Sequence, residues 1–126
     1  MSNSGDDGRA AVQAVMERYV DAVFNADIAT LKEVFHPQAA MCGYLGDKLL
    51  IGTPQPFLED LATHPSMAKN NDPFRGIISG VGVMGRAATA TLEETGFFGA
   101  GHFVNYFHLL DFDGEWKITS KIFASL

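Results

Sequence analysis

Hydrophobic residues near the start of the chain recur at three- and four-residue steps. Val12, Val15, Met16, Tyr19, Val20, Val23 and Phe24 are interleaved with polar Gln13, Glu17, Arg18 and Asp21. That pattern predicts one amphipathic helix of about five turns, starting at Asp6. Asp6 and Asp7 suit its N-terminus as caps and as charges favoured by the helix dipole. Residues 1–5 read as a flexible tail. Asp27 caps a shorter helix carrying Ile28, Leu31, Val34 and Phe35, and Pro37 ends it, pushing His36 into an extended conformation. Thr53-Pro54 opens a third helix, with Phe57, Leu58 and Leu61.

Between and after these helices the pattern is that of strands. Ala39 to Leu45 and Lys48 to Ile51 flank a Gly46-Asp47 turn. Residues 75–84 and 86–95 read as two more strands, the second alternating Thr89, Thr91 and Glu93 with Ala88, Ala90 and Leu92. His102–Phe112 and Glu115–Ala124 are joined by Asp113-Gly114, a strong hairpin signal. His64 to Phe74 holds two prolines and two asparagines without periodicity. It is expected to be an exposed loop, either a lid over a pocket or a plain connection. Three helices followed by a mostly antiparallel sheet give an α+β order within one domain, 1–126.

A two-residue turn at Asp113-Gly114 sets the faces of the last hairpin. One face carries Phe103, Asn105, Phe107 and Leu109 with Trp116, Ile118, Ser120, Ile122 and Ala124, and is expected to pack against the helices. The other carries His102, Val104, Tyr106, His108 and Leu110 with Lys117, Thr119, Lys121 and Phe123. A slip of one residue would exchange the two faces. An amide on the apolar face needs partners, so Asn105 is expected to meet buried backbone or a polar ligand. The second face reads either as solvated or as a homodimer interface through Tyr106, His108 and Lys121.

The composition narrows the function. The 126 residues are 47% hydrophobic, and 15 acidic against 9 basic residues leave a net charge of −6. Global disorder is excluded, and nucleic acid and anionic membrane are disfavoured as partners. Cys42 is the only cysteine, so there is no internal disulfide, and its thiol is expected to be core. With no apolar leader and no long apolar run, a cytoplasmic location is expected.

Candidate chemistry is sparse. Gly80 to Gly85 matches G-x-G-x-x-G, but without a strand-to-helix junction its glycines are better read as points where a sheet bends. His102 and His108 stand about 20 Å apart on one strand face and cannot share an ion, so no metal and no cofactor is expected. Glu59-Asp60 and Glu93-Glu94 read as solvated charges. His36, fixed by Pro37 between helix and sheet, reads either as a structural histidine bonded to backbone or as a general base. Tyr19, Phe35, Met41, Tyr44 and Phe57 read either as core or as pocket lining.

Two stretches resemble a known family: F-H-P-Q-A-A at 35–40 and N-Y-F-H-L-L-D-F-D-G-E-W-K-I-T-S-K-I-F at 105–123. They resemble the nuclear transport factor 2-like superfamily, within it the branch labelled putative lumazine-binding, near the polyketide-cyclase-like (SnoaL-like) proteins. The resemblance implies a cone, in which a strongly curved sheet surrounds a pocket closed by the N-terminal helices. It also implies homodimers through the outer sheet face, and enzymes that place Asp, Glu or His inside the cone. Asn105 departs from the acidic residue often found there, and an amide takes no proton at neutral pH. A small-molecule-binding protein is therefore expected, with Asn105, Phe107, Trp116 and Ser120 joining the pocket residues named above. The alternatives are an isomerase, dehydratase or cyclase using His36 as base with Asn105 or Tyr44 at an oxyanion, and a structural interaction domain working through His102, Tyr106, His108 and Lys121.

Overall fold

The apolar stripe of α1 (Ser4–Asn25) is what closes the fold, because Val12, Met16, Tyr19 and Val23 are completely buried against the sheet. The computed structural model describes residues 4–126, with side chains from residue 8 onward. Residues 1–3 of the expected tail lie outside that range, whereas Ser4 and Gly5 already belong to α1. In α2 (Ile28–Val34) the Asp27 side chain accepts from the Thr30 backbone N–H at 3.2 Å, the cap its position predicts. Six strands follow in the order β1 (Phe35–Leu45), β2 (Lys48–Gly52), β3 (Arg75–Met84), β4 (Ala87–Phe97), β5 (Gly101–Phe112) and β6 (Glu115–Ser125). The third helix, α3 (Gln55–Thr63), lies between β2 and β3.

The strands form one curved sheet in the order β2-β1-β6-β5-β4-β3, parallel only between β1 and β6. β1 begins at Phe35 and not at Ala39, so His36 and Pro37 belong to it. An irregularity between Phe35↔Ile118 and Ala40↔Ser120 accommodates them. A second bulge interrupts β3 between Ser79 and Gly82, where Gly80 takes φ +60°. The G-x-G-x-x-G stretch thus lies in an antiparallel hairpin, where its glycines allow curvature.

The β5–β6 hairpin decides which side chains face inward. Asp113 and Gly114 both have positive φ, 56° and 97°, and Phe112 pairs with Glu115. That is the two-residue turn that matches strand twist. The register then runs regularly to Leu109↔Ile118 but resumes at His108↔Ser120, leaving Thr119 as an extra residue. An extra residue inverts the alternation beyond it. Trp116 and Ile118 point inward as expected, but after the bulge Lys121 and Phe123 are buried while Ile122 and Ala124 are exposed. Two expectations are corrected. Ser120 faces outward beside His108 (Oγ to Nδ1 3.3 Å) and not into the core, and Lys121 faces inward and cannot serve the outer face.

The segment 64–74 is less exposed than its composition suggests. Met67 is fully buried, its sulfur accepts from the Phe98 N–H at 3.1 Å, and the Ala68 N–H donates to the Phe24 carbonyl at 3.0 Å. Phe74 stacks on Phe24 at 5.9 Å, so the segment is a pinned connection. Cys42 is half-buried rather than core.

Gly43 brings β1 and β6 together, because a Cβ there would run into the Phe123 carbonyl. Gly43→Ala is expected to cost about 2–4 kcal/mol of stability in urea unfolding. Gly52→Ala, whose Cβ would meet nothing, is expected to shift stability by no more than ~0.5 kcal/mol. Equal midpoints for the two variants would contradict the close approach at Gly43.

Candidate functional site

Leu58 and Leu61 anchor α3 in the core, and a cavity of about 420 Å³ remains between this helix and the inner sheet face. Its walls are apolar: Met41 and Leu45 of β1, Leu50 and Ile51 of β2, Pro56 and Phe57 of α3, with Phe97, Phe103 and Phe123 of the central strands. Asp60 stands among the lining residues, half-turned towards His64 at 3.6 Å. Besides the exposed Thr53 and Asp60, three buried polar side chains interrupt this apolar lining, namely Glu94, Asn105 and Lys121, exposed by only 3%, 1% and 4%.

Each arrives there by strand geometry. Glu94 continues the inward series Ala88, Ala90 and Leu92 along β4. Asn105 pairs opposite Leu92 on β5, and its Nδ2 donates to the Leu92 carbonyl at 3.2 Å and to Glu94 Oε1 at 2.8 Å. The other carboxylate oxygen of Glu94, Oε2, is buried without a hydrogen-bond partner among the described residues. Lys121 is turned inward by the Thr119 bulge, and its Nζ donates to the Tyr19 hydroxyl at 2.8 Å. The same nitrogen lies 4.1 Å from the centre of the Phe57 ring, with Tyr19 and Phe123 at 5.4 and 5.7 Å. Aromatic faces attract a cation but do not replace its lost water.

Burial dominates the electrostatics. It pushes the Lys121 ammonium down from 10.5 to about 8, with the Glu94 charge acting the other way. It also raises the Glu94 carboxyl, against the opposing pull of Lys121 and of the Asn105 hydrogen bond. Tyr19 is held well above its ordinary range by burial first and by the Glu94 charge second. Burial thus favours the neutral forms of both the Lys121 amine and the Glu94 carboxyl, and it leaves Glu94 Oε2 without a hydrogen-bond partner among the described residues.

Of the residues singled out from sequence, Met41, Phe57 and Asn105 line the cavity. Tyr19, Phe35 and Phe107 form an edge-to-face aromatic cluster in the core beneath it, at 5.9 and 5.0 Å from Tyr19, and Trp116 is buried away from it. Tyr44 is exposed, and Ser120 lies on the outer face. His36 is also elsewhere: its ring stacks on Phe112 at 4.7 Å and its Nδ1 accepts from the Gln38 N–H at 3.0 Å. It does not line the cavity, and nor does any residue of segment 64–74. Glu94 corrects the reading of Glu93-Glu94 as a solvated pair, since only Glu93 faces out, 2.8 Å from His102 Nε2. The alternation Ala88, Ala90, Leu92 extended by one step was the signal for Glu94, whereas nothing in the local composition marks the bulge that turns Lys121 inward. Among the described residues no group of three or more His, Cys, Asp or Glu is placed to hold a metal ion, and no helix is long and apolar enough to cross a membrane.

The family model described as "Putative lumazine-binding" matches residues 7–124. No curated protein sequence matches the chain. Among solved structures, it is similar to a nuclear transport factor 2-like (NTF2-like) protein of unknown function from Silicibacter pomeroyi, at 25% identity and TM-score 0.85, covering 100% of both chains. A second NTF2-like protein of unknown function, from Methylobacillus flagellatus, shares 24% identity at TM-score 0.84, over 100% of this chain and 95% of that one. A protein from Streptomyces avermitilis described as a "putative dehydratase" of the NTF2-like family shares 18% identity at TM-score 0.68, over 96% and 97% of the two chains.

The depressed Lys121 value carries a stability signature. Because the folded state binds this proton less tightly than the unfolded chain, stability from this group is low below pH 8 and rises between pH 8 and the unfolded value of 10.5. Glu94 has the opposite slope: its contribution is full below the unfolded value of 4.5 and is lost as pH rises from there through the raised folded value. Tyr19 resists ionisation when folded, so it opposes Lys121 only above its ordinary 10.0. From pH 8 to 10, wild-type stability is expected to rise by about 2 kcal/mol relative to Lys121→Met in urea unfolding. A constant difference between the two proteins would show that Lys121 is not buried as a cation.

Proposed function

The chain belongs to the family described as "Putative lumazine-binding", and on that premise we propose that it binds a small, mostly apolar molecule with one polar end in the cavity between α3 and the sheet. The observation that carries this reading is the unpartnered Glu94 Oε2, buried in a mostly apolar wall. A buried acceptor left unmade costs about 1–3 kcal/mol, and a ligand N–H or O–H seated there would recover it. Met41, Phe57 and Phe123 would cover the apolar body, and Asn105 would hold Glu94 in place. The whole of 1–126 would act as one such domain, in the cytoplasm.

A second reading is an acid–base enzyme of the isomerase, dehydratase or cyclase kind in the same cavity. It is favoured by the raised Glu94 carboxyl, which could hold or move a proton at Oε2. In that reading Glu94 takes the role first considered for His36, whose stacking on Phe112 keeps it away from the cavity.

Native mass spectrometry of the purified protein is expected to retain a discrete bound mass in wild type and to lose it in Met41→Trp, which fills the cavity, while thermal stability changes little. Equal retention by both proteins would contradict binding in this cavity. A homodimer through the outer sheet face is also proposed, supported by exposed Tyr106 and Ile122 (56% and 46%) beside His108. Tyr106→Asp is expected to shift a dimer to monomer by sedimentation velocity, and an unchanged dimer would remove this face from the interface.

A further inference from the structure

The binding reading leaves the Lys121 amine without a task. It is an expensive group to place in an apolar wall: it donates a single hydrogen bond, to Tyr19, and it takes part in none of the ion pairs among the described residues. A lysine held only to neutralise Glu94 would touch it, yet Glu94 is bonded through Asn105 instead. What the surroundings do achieve is to hold one amine against the Phe57 ring, on the buried wall of a half-open cavity. Desolvated lysines of this kind are nucleophiles towards carbonyl carbon.

We infer that Lys121 is an attachment point for a carbonyl compound, its ε-amine forming a reversible imine with an aldehyde or ketone seated in the cavity. This rests on the small-molecule reading above and names the reactive group of the ligand class. In the first step the Nζ lone pair forms a bond to the carbonyl carbon, the C=O π pair moves to oxygen, and a proton passes from nitrogen to that oxygen, giving a neutral carbinolamine. In the second, the Glu94 carboxyl gives its proton to the hydroxyl, the C–O bond breaks to release water, and the nitrogen lone pair closes the C=N bond. The products are water, a protonated imine on Lys121 and a Glu94 carboxylate, so charge and atoms balance without any further reactant. The lowered proton affinity of Lys121 and the raised one of Glu94 both favour the neutral amine and the proton-bearing carboxyl with which this sequence begins. The other polar group that bears on the amine is the Tyr19 hydroxyl it bonds, and Asp60 lies elsewhere in the same lining, 3.6 Å from His64.

The test uses the wild-type protein with 3-phenylpropanal as probe and cyanoborohydride as the reductant that traps any imine as a secondary amine. Peptide mapping then compares Lys121 with exposed Lys32, Lys48 and Lys69 and half-buried Lys117. Lys121 is expected to label on the order of tenfold faster than the others near pH 8, and 3-phenylpropan-1-ol, which has the same body but no carbonyl, is expected to slow it. Lys121→Met should lose the fast phase only. Labelling of Lys121 no faster than the surface lysines, while the alcohol still shifts the NMR methyl signal of Met41, would overturn the imine and leave small-molecule binding standing. If the alcohol neither shifts that signal nor protects, and Lys121 is unlabelled, both readings fall. Fast labelling that the alcohol does not slow would place the reaction outside the cavity and overturn the proposal.

Discussion

An amine that must find its partners away from water sets the terms for the rest of this structure. Taking a lysine out of solvent without a direct carboxylate partner costs several kcal/mol. Here the cost is reduced in three ways: a hydrogen bond to Tyr19, aromatic faces around Nζ, and the charge of Glu94 at longer range. Each of these ties Lys121 to a different element. Tyr19 brings in α1, Phe57 brings in α3, and Glu94 brings in β4. Tyr19 is in turn fixed by the edges of Phe35 and Phe107, so the first helix, the second helix junction and the central strand meet around one hydroxyl. The cavity is what remains above that junction, where α3 spans the sheet without filling the space.

Much of the architecture is legible in the sequence. The helix stripes, the Asp27 cap and the Asp113-Gly114 turn are local chemistry, and local chemistry decided them here. The terminal hairpin shows where such reading stops. Its register is correct through Leu109 and Ile118, then fails at one residue, because Thr119 is looped out and no glycine or proline announces it. Everything beyond the bulge changes face, which exchanges Ser120 and Ile122 for Lys121 and Phe123 inside the cone. Glu94 was legible in principle, since its strand alternates cleanly, but a pair of adjacent glutamates is ordinarily a solvated one. Of the two readings of His36 the structure shows the backbone-bonded one: its Nδ1 accepts from the Gln38 N–H, and its ring turns onto Phe112, a contact from the far end of β5 that only the tertiary structure supplies.

These corrections change the chemistry more than the fold. A cavity read from sequence as apolar with a few polar contacts, Asn105 among them, holds instead a buried acid, amide and amine, all but excluded from solvent. Asn105 does not stand alone as a ligand contact, because its Nδ2 is committed to Leu92 and Glu94. Its effect is to aim one carboxylate oxygen and leave the other free. In the proposed binding role, the apolar residues of the wall would meet the body of the ligand. The polar floor is what distinguishes this cavity from a void left by imperfect packing, since packing defects are lined by groups that need no partner.

The site depends on the Lys121 amine standing in the cavity wall within range of the Glu94 charge. A heteronuclear NMR titration of the lysine side chains, with the Lys121 ε-carbon assigned through Lys121→Met, tests it most directly. The structure requires the Lys121 signal to titrate near 8 and to fall further in Glu94→Gln, because that substitution removes the charge holding the proton on. A signal titrating near the ordinary 10.5 and indifferent to Glu94→Gln would place Lys121 in solvent and contradict the site.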